Sequence, residues 1–351
     1  MRECNMAVIS YKCPNCGGEL VFDPETQKYK CGYCLSEFTD VEAEQANPKA
    51  AAGTDAREEE PSEAVVYTCP NCGAELLTDG TTAATFCFYC HSPVVLSGRV
   101  SGKYLPDRIL PFVIDRKEAV DRFLKDVRKK FFIPRDFFSK AQIEKVSGIY
   151  FPYWLYGGSF DVDYRAKGRK VRTWRAGEME YTETSIFDVE RKGDIALEGL
   201  GHNALQKANR DLMESVQPYG IDDLQPFSMG YLSGFLAEKR DMEWEVFAGE
   251  TKDQREQMIQ NEMRSTAGEY VSMTGESLDV RVKDEKWSYV MLPVWTVTYR
   301  GKDQKIYFYA MNGQNGKISG DFPIAYGKLS LVSAVCGIAV FLLALLGGYF
   351  L

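Results

Sequence analysis

The stretch KCPNCGGEL at residues 12–20 returns, almost unchanged, as TCPNCGAEL at residues 68–76. In each copy a further C-x2-C pair follows after 14 residues, CGYC at 31–34 and CFYC at 87–90. The second set of four cysteines is displaced from the first by the same number of positions at every cysteine. The two sets use eight of the 10 cysteines in the 351-residue chain, which indicates one structural unit present twice.

The spacing within each set predicts a metal site. Two residues between thiolates let one tight turn point both sulfurs at the same ion, and Gly17 and Gly73 suit the positive φ that closes such a turn. The 14-residue gap leaves room for an antiparallel excursion that brings the second turn opposite the first. Four thiolates without an open position make a structural rather than a catalytic Zn²⁺ site. We therefore expect two structural Zn²⁺ ions per chain, with the ligands Cys13, Cys16, Cys31 and Cys34, and Cys69, Cys72, Cys87 and Cys90.

Other interpretations of the cysteines are weaker. The N-terminal MRECNMAVIS has no basic start followed by an apolar run, so no signal peptide is expected and the compartment is predicted to be reducing. Disulfides are therefore disfavoured, whereas rubredoxin-like iron stays open as an alternative metal. Cys4 and Cys336 fall outside both sets and are expected to be bystander thiols. His91 is not needed as a ligand, and His202 is expected to be a helix cap or a surface residue.

The two predicted metal-binding units are zinc ribbons, and their charge indicates which class of partner they can bind. Residues 1–39 carry four basic and five acidic side chains, and residues 65–98 carry Glu75 and Asp79 but no Lys or Arg. Nucleic-acid binding depends on cations that neutralise phosphates, and the whole chain has a formal charge of -8. Protein docking or a structural role is therefore favoured over binding to DNA or RNA. Phe86, Phe88 and Tyr89 are the expected apolar docking residues of the second ribbon.

Two segments differ sharply in composition from the ribbons. Residues 40–64 hold eight acidic and two basic side chains and no aromatic residue, which predicts a flexible acidic linker. Residues 329–351 contain no charged side chain over 23 positions, enough for a helix of about 35 Å that crosses a bilayer. Lys328 on the near side of this segment favours a cytoplasmic location of the N-terminal bulk. The sequence thus predicts a tail-anchored, single-pass protein of the cell membrane.

The middle of the chain, residues 99–328, predicts a duplicated helix-plus-antiparallel-sheet domain of the α+β class. One helix is expected at 115–131, with an apolar stripe and an Asp115–Glu118 capping box, and a second at 252–267, capped by Thr251. Each precedes a predicted hairpin, at 150–168 and at 290–320. The apolar stripe of the first helix is Ala119, Val120, Phe123, Leu124, Val127 and Phe131.

Three further features of the middle domain complete this prediction. The hairpins align at Pro152-Tyr153-Trp154 and Pro293-Val294-Trp295, both expected to be core positions, and NGQNG at 312–316 closes the second hairpin. A further helix is expected at 202–216. Residues 99–130 hold ten basic and five acidic groups, which indicates a solvated helix face or, as the alternative, contact with anionic headgroups.

No motif in the sequence predicts catalysis. There is no G-x4-G-K-[ST], no G-x-S-x-G and no H-E-x-x-H, and the chain has only two histidines. An enzyme is therefore not expected, and no catalytic residue is assigned.

Taken together, the paired CPNCG motifs, the YFPYWLY and MLPVWTVTY segments and the terminal apolar span resemble a bacterial family. These are the membrane-anchored double zinc-ribbon proteins of Gram-positive bacteria, often labelled transcription-factor-IIB-type zinc-ribbon proteins. The resemblance covers nearly the whole chain. It implies a scaffold that recruits phage-shock-protein-A-like or SPFH-like partners in envelope stress.

The function favoured by the sequence is a cytoplasm-facing membrane adaptor whose ribbons capture protein partners. The alternative is a membrane-tethered, nucleic-acid-binding or transcription-related ribbon protein. The expected organisation is a first ribbon, an acidic linker, a second ribbon, the α+β domain and a transmembrane helix, at residues 1–39, 40–64, 65–98, 99–328 and 329–351.

Overall fold

The computed structural model describes residues 8–48, 64–69, 75–87, 92–96, 102–134, 137, 146–300 and 305–349. Within these residues lie five α-helices: α1 Asp40–Ala46, α2 Arg116–Arg128, α3 Arg210–Ser215, α4 Ala248–Ser265 and α5 Tyr326–Tyr349. The strands of the same residues are β1 Val8–Ile9, β2 Leu20–Asp23, β3 Lys28–Cys31, β4 Glu37–Phe38, β5 Ala64–Thr68, β6 Glu75–Asp79, β7 Thr82–Phe86, β8 Pro93–Leu96, β9 Arg108–Ile109, β10 Ser147–Ala176, β11 Met179–Asn203, β12 Gln225–Pro226, β13 Leu236–Glu238, β14 Ser272–Arg300, β15 Ile306–Asn312 and β16 Ile318–Gly320. This mixture of helices and sheets confirms the predicted α+β class.

The chain divides into two compact units. Unit 1 comprises Met1–Pro152, Leu205–Lys239 and Met291–Leu351, and unit 2 comprises Tyr153–Ala204 and Arg240–Val290. The long strands β10 and β14 each contribute residues to both units. Both cysteine sets and the terminal apolar segment belong to unit 1.

The main sheet of unit 1 has the strand order β1-β8-β7-β13-β10-β14-β15-β16. Its pairs are antiparallel where β14 meets β15 and where β7 meets β8, and parallel where Ile149 of β10 lies beside Leu236 of β13. Helix α2 packs on this unit through Ala119, Phe123 and Val127, which are all buried. The Phe123 ring lies 4.6 Å from the ring of Tyr309 on β15.

An aromatic cluster around Phe112 forms the centre of unit 1. Its ring stacks on Phe235 at 4.3 Å and lies 4.9 Å from Tyr150 and 5.1 Å from Trp295. The indole N–H of Trp295 donates to the carbonyl oxygen of Ile114 at 3.0 Å, so its polar atom is satisfied inside the core. Trp295 is therefore a core anchor, as the Pro-x-Trp pattern predicts.

Unit 2 is built on a long hairpin. β10 and β11 pair from Tyr153↔Asn203 to Ala176↔Met179, with one irregularity at Tyr156/Gly158. Helix α4 covers the hairpin: Ile259 is buried in a cluster with Tyr156, Phe160 and Val162. The predicted hairpin at 150–168 is therefore one continuous strand, and the chain turns only at Gly177, where φ is +64°.

The second predicted hairpin is also rearranged. NGQNG does not close the pair of β14 with β15, because it lies after β15 and connects that strand to β16. Gly316 supplies the positive φ of this turn, +77°. The turn is therefore predicted at the right residues, but the strands that it joins are β15 and β16 rather than β14 and β15.

Two predicted helices begin or end elsewhere. Helix α4 begins at Ala248, so Thr251 lies inside its first turn, where its hydroxyl donates to the Phe247 carbonyl oxygen. The expected helix at 202–216 is reduced to α3, with Asn209 as its N-cap. His202 is neither a cap nor a surface residue, because it lies near the end of β11, 1% exposed, with Nε2 2.8 Å from the Thr251 hydroxyl.

The predicted linker starts with a short helix rather than with irregular chain. Thr39 and Glu42 form a reciprocal capping box that begins α1 at Asp40, and Ala43 is completely buried. Composition could not predict this helix, because so short a helix needs only one buried contact and a good cap. The remainder of the linker, residues 49–63, lies outside the described residues.

Helix α2 follows the prediction over most of its length. Asp115 is the N-cap and accepts a hydrogen bond from the Glu118 backbone N–H. The helix ends at Arg128, before the predicted end, so Phe131 leaves the apolar stripe and is 66% exposed.

Helix α5 contains a segment, Tyr326–Leu345, that is long and apolar enough to cross a membrane, with a mean hydropathy of 2.3. None of this segment is buried inside the protein. The expected span at 329–351 coincides with most of α5, and its last two residues lie outside the described part.

Candidate metal centre

The first ribbon holds its cysteines on two matching turns, which we call knuckles: Cys13–Gly18 and Cys31–Ser36. In the first, the N–H of Gly17 donates to the Cys13 carbonyl oxygen, and the N–H of Cys13 donates to the Gly18 carbonyl oxygen. The second repeats both bonds, from Leu35 to Cys31 and from Cys31 to Ser36. Gly17 has a φ of +74°, as the sequence predicts.

The knuckles bring the four sulfurs into one cluster. Cys13 Sγ lies 3.6 Å from Cys34 Sγ, and Cys16 Sγ lies 3.5 Å from Cys31 Sγ. All four sulfurs lie within 4.8 Å of one another. A tetrahedral Zn²⁺ with Zn–S bonds of about 2.3 Å places its sulfurs about 3.8 Å apart, so the cluster has the size that the ion needs. This group could therefore bind a metal.

Hydrogen bonds and neighbouring thiols shift the pKa values of Cys34 and Cys16 in opposite directions. The hydroxyl and the backbone N–H of Ser36 lower the pKa of Cys34 to about 6. For Cys16 the Gly18 N–H acts in the same direction, but the neighbouring thiols of Cys34 and Cys31 outweigh it and raise the pKa to about 12. Thiols this close cannot all ionise together unless a positive ion compensates their charge.

The 14-residue gap between the knuckles forms the antiparallel excursion that its length predicts. β2 and β3 pair from Leu20↔Cys31 to Asp23↔Lys28, and β4 adds a third strand. Tyr29 is buried on β3, and its hydroxyl donates to Asp40 Oδ1 at 2.9 Å. Burial, with the Asp40 carboxylate beside it, raises the pKa of Tyr29, so this hydroxyl stays protonated and available as a donor.

The first ribbon packs on a loop at residues 228–234, which we call the docking loop. The Phe22 N–H donates to the Ser233 carbonyl oxygen at 3.1 Å, and the Ser233 hydroxyl donates to the Leu20 carbonyl oxygen at 2.6 Å. The ring of Tyr231 lies 5.0 Å from that of Phe22. The ribbon is therefore fixed on unit 1 by one of its faces. This contact is not evident from the sequence, because the two segments are far apart along the chain and no local pattern links them.

The described half of the second cysteine set is consistent with the first. Cys69 and Cys87 are buried in one cluster with Tyr67, Val94 and Leu96. Cys72 and Cys90 lie outside the described residues, so their positions relative to this pair are not part of the structure.

The backbone of the second set nonetheless repeats the first with the same displacement that relates the cysteines. The N–H of Cys87 donates to the Ser92 carbonyl oxygen, as Cys31 does to Ser36. Thr68 pairs with Glu75 beside Cys69, as Lys12 pairs with Glu19 beside Cys13. Two elements of one ribbon therefore recur at the corresponding positions of the other.

Exposed apolar side chains lie on the second knuckle of the first ribbon. Tyr33 is 78% exposed and Leu35 is 68% exposed. Tyr33 corresponds to Tyr89 in the second copy of the repeat, but Phe88 and Tyr89 lie outside the described part and Phe86 is half-buried. The apolar docking residues predicted from the sequence lie on the second ribbon alone. The repeat itself was the signal that could have identified Tyr33.

Comparison with known proteins places this architecture in a family. Over 323 residues the chain is 33% identical to YdjG of Bacillus subtilis (strain 168), an uncharacterised protein, and the alignment covers 92% of each chain. The chain belongs to the YdjG family. No family model matches the chain, and no solved structure matches it. The relationship therefore covers most of both chains and gives no activity by itself.

Proposed function

We propose that this chain is a membrane-anchored adaptor that faces the cytoplasm and recruits protein partners through its structural zinc ribbons. The observation that carries this proposal is a four-cysteine cluster whose second knuckle, Cys31–Ser36, exposes Tyr33 and Leu35. A metal in such a cluster has no open position for chemistry, so its role is to hold the knuckle in shape. Exposed aromatic and aliphatic side chains on a rigid turn suit docking of a protein.

The charge of the first ribbon supports a protein rather than a polyanion as its partner. Residues 8–48 carry three basic side chains, at positions 12, 28 and 30, and seven acidic ones. Lys12 is paired with Glu19 at 3.7 Å. A surface with a net negative charge repels a phosphate backbone at physiological salt.

A second Zn²⁺ in the other ribbon is part of the proposal. Its ligands are Cys69, Cys72, Cys87 and Cys90, and the support is the burial of Cys69 with Cys87 and the backbone register that both ribbons share. Partners of the phage-shock-protein-A-like or SPFH-like classes are the candidates that the family resemblance names.

The orientation is supported by one basic residue at the start of α5, Lys328. Lys328 lies in the first turn of this helix, and its Nζ donates to the Ile133 carbonyl oxygen at 2.7 Å, so the segment that follows α2 lies beside the start of α5. Positive charge next to a span favours the cytoplasmic side.

Membrane attachment is tested by deletion of residues 329–351. The truncated protein is expected to leave the membrane fraction for the soluble fraction, since α5 is the candidate span of the described residues. Sedimentation of the truncated protein with membranes in high salt would contradict a single anchor.

Recruitment is tested on the full chain, purified from native membranes after cross-linking. Tyr33→Ser combined with Leu35→Asn removes the apolar surface of the knuckle while Asn tolerates the positive φ at that position. Proteins cross-linked to the wild type are expected to be lost from this variant. Val246→Ser with Val271→Ser, which changes exposed valines of unit 2, serves as the matched control and should retain them.

Nucleic-acid binding is the outcome that would reverse the proposal. Salt-sensitive, micromolar binding of DNA or RNA by the full chain, with a log–log slope of about 0.9 per neutralised phosphate, combined with unchanged cross-linking in the Tyr33 variant, would favour the transcription-related alternative.

A further inference from the structure

The start of α5 is fixed to the segment that follows α2. The Ala325 N–H donates to the Phe132 carbonyl oxygen at 2.6 Å, and Lys328 Nζ donates to the carbonyl oxygens of Ile133 and Phe131 at 2.7 and 3.3 Å. All of these residues belong to unit 1. The point at which the apolar helix leaves the folded unit is therefore beside residues 131–133, not at the end of a free tether.

Apolar side chains are exposed at this point, because no other part of the described protein covers them. Phe131 is 66% exposed and Phe132 is 37% exposed, and their rings meet edge to face at 5.3 Å. Ile324 and Tyr326, directly before and at the start of α5, are 48% and 71% exposed. Aromatic residues at the entry of a membrane span belong to the headgroup level, where an apolar ring and a polar neighbour are both satisfied.

Exposed cations lie on the last turns of α2, just before this point in the sequence. Lys125, Arg128 and Lys129 are exposed and, within the described ranges, have no acidic partner. Lys130 differs, because it pairs with Asp126 at 2.7 Å. No ion pair with a described residue therefore competes with an external anion for these three cations, and all of them precede Phe131 closely in the sequence.

We infer that residues 125–132, together with Ile324, Tyr326 and Lys328, form a membrane-contact surface that binds the anionic headgroups of the bilayer that α5 enters. The inference rests on the proposed insertion of α5 and goes beyond it, because a single span alone leaves the folded unit free to tilt. Two attachments, one through the bilayer and one along its surface, set the orientation of unit 1. The bilayer is the occupant because α5 brings it to this surface and its charge is complementary to the three cations.

The height of the surface agrees with the length of the span. Lys328 is held by the carbonyl oxygens of residues 131 and 133, so the hydrocarbon begins after it, at Leu329. From Leu329 to Tyr349 the helix rises about 31 Å, which matches a hydrocarbon core of about 30 Å. Phe131 and Phe132 therefore lie at the level of the headgroups when the helix spans the bilayer.

The test uses the full chain in nanodiscs of phosphatidylcholine, alone or mixed with phosphatidylserine, and measures acylation of each lysine by mass spectrometry. Phosphatidylserine is expected to slow the acylation of Lys125 and Lys129 about fivefold, the effect of a surface potential on one cation near it. High salt should restore the rates, because it screens the surface charge. Lys167 in unit 2, which is also exposed, is the internal reference and should not change with the lipid.

A double variant tests the charged and apolar parts of the surface together. Arg128→Gln with Phe131→Ser leaves both reporter lysines in place and is expected to reduce their protection. Arg169→Gln with Arg172→Gln, which removes two exposed cations of unit 2, is the matched control and should keep it.

Four outcomes would overturn the inference. Equal acylation of Lys125 and Lys129 in the two lipids, or full protection in the Arg128 and Phe131 variant, would show that these residues do not bind the headgroups. Equal protection by soluble polyphosphate in neutral discs would assign the cations to a soluble polyanion instead. Extraction of the full chain from membranes by alkaline carbonate would contradict the insertion of α5, and with it the proposed function as well.

Discussion

Gly17 and Leu35 occupy the same step in the two knuckles of the first ribbon. Both have a left-handed backbone, with φ of +74° and +60°. For leucine this conformation costs about 1 kcal/mol or more, a cost that glycine avoids. One knuckle therefore has the residue that the turn favours, whereas in the other the remainder of the ribbon holds a leucine against its preference.

Gly17→Ala isolates this backbone cost, because a Cβ at Gly17 would meet no atom within 4 Å. We expect the apparent metal affinity to fall about fivefold to tenfold, the equivalent of about 1 to 1.4 kcal/mol of strain. Competition with a chromophoric chelator measures it. Gly32→Ala is the matched control, since that position is equally open and has no positive φ, and its affinity should stay within about twofold of the wild type.

Glu276 in unit 2 carries the pH dependence of a local ion pair. Arg264 donates to both of its carboxylate oxygens, at 2.6 and 2.8 Å, and Tyr164 donates to one of them at 2.9 Å. These hydrogen bonds, chiefly those of Arg264, lower the pKa of Glu276 to about 2. A depressed pKa stabilises the fold above the unfolded-state value of about 4.3, and the stabilisation is lost as the pH falls from there towards 2.

Glu276→Gln is therefore expected to lower the free energy of unfolding by about 1 kcal/mol at pH 7. The difference in the free energy of unfolding between variant and wild type should shrink between pH 5 and pH 3. At pH 3 about a tenth of the Glu276 carboxylate is protonated in the folded wild type, and a larger fraction is protonated in the unfolded chain. Denaturant titrations at several pH values measure it. Glu262→Gln on the exposed face of α4 is the control and should change the free energy of unfolding by less than about 0.5 kcal/mol.

At the scale of elements, the contact between the first ribbon and the docking loop depends on two glycines. A Cβ at Gly230 would lie 2.8 Å from Cζ of the buried Tyr29, and one at Gly234 would meet the side chain of Val21. Gly234 also has a φ of +94°. The loop can approach the ribbon this closely because both positions lack a side chain.

Gly230→Ala is expected to loosen the first ribbon at a cost of about 1–3 kcal/mol, because the rigid Tyr29 ring must move. Hydrogen exchange of residues 20–31 should become faster, and the metal should be released to a chelator sooner. Gly249→Ala in α4, where a Cβ would meet nothing, is the control and should leave both rates unchanged. Unchanged exchange in the Gly230 variant would mean that the ribbon does not depend on the loop.

The elements that the sequence predicts well are those with local causes. The knuckles, the excursion between them, α2 and the apolar helix each follow from spacing, capping or composition within a short stretch of chain. The strands of unit 2 were less predictable, because alternation in β10 shows which face is buried but not where the chain turns back. His202 and Thr251 illustrate the same limit: each has a local pattern typical of a cap, and their mutual hydrogen bond overrides it.

For the whole molecule, the duplicated cysteine sets predict a metal stoichiometry. We expect about two Zn²⁺ per chain by elemental analysis, since the two ligand sets share no residue. Cys16→Ser should release one ion and Cys72→Ser the other, and the double variant should release both. Iron in the purified protein, or the loss of both ions from either single variant, would contradict two independent zinc sites.

The docking loop also limits which parts of this protein can be exchanged with those of a relative. A zinc ribbon is often treated as a cassette that can be exchanged between proteins, because its ligands are local. Here residues 228–234 are as much a part of the first ribbon as its own strands, through the bonds of Ser233 and the space left by Gly230 and Gly234. A chimaera that takes the ribbon from one relative and the remainder from another must carry the loop with it. A donor ribbon with a larger side chain in place of Val21 would not fit the recipient.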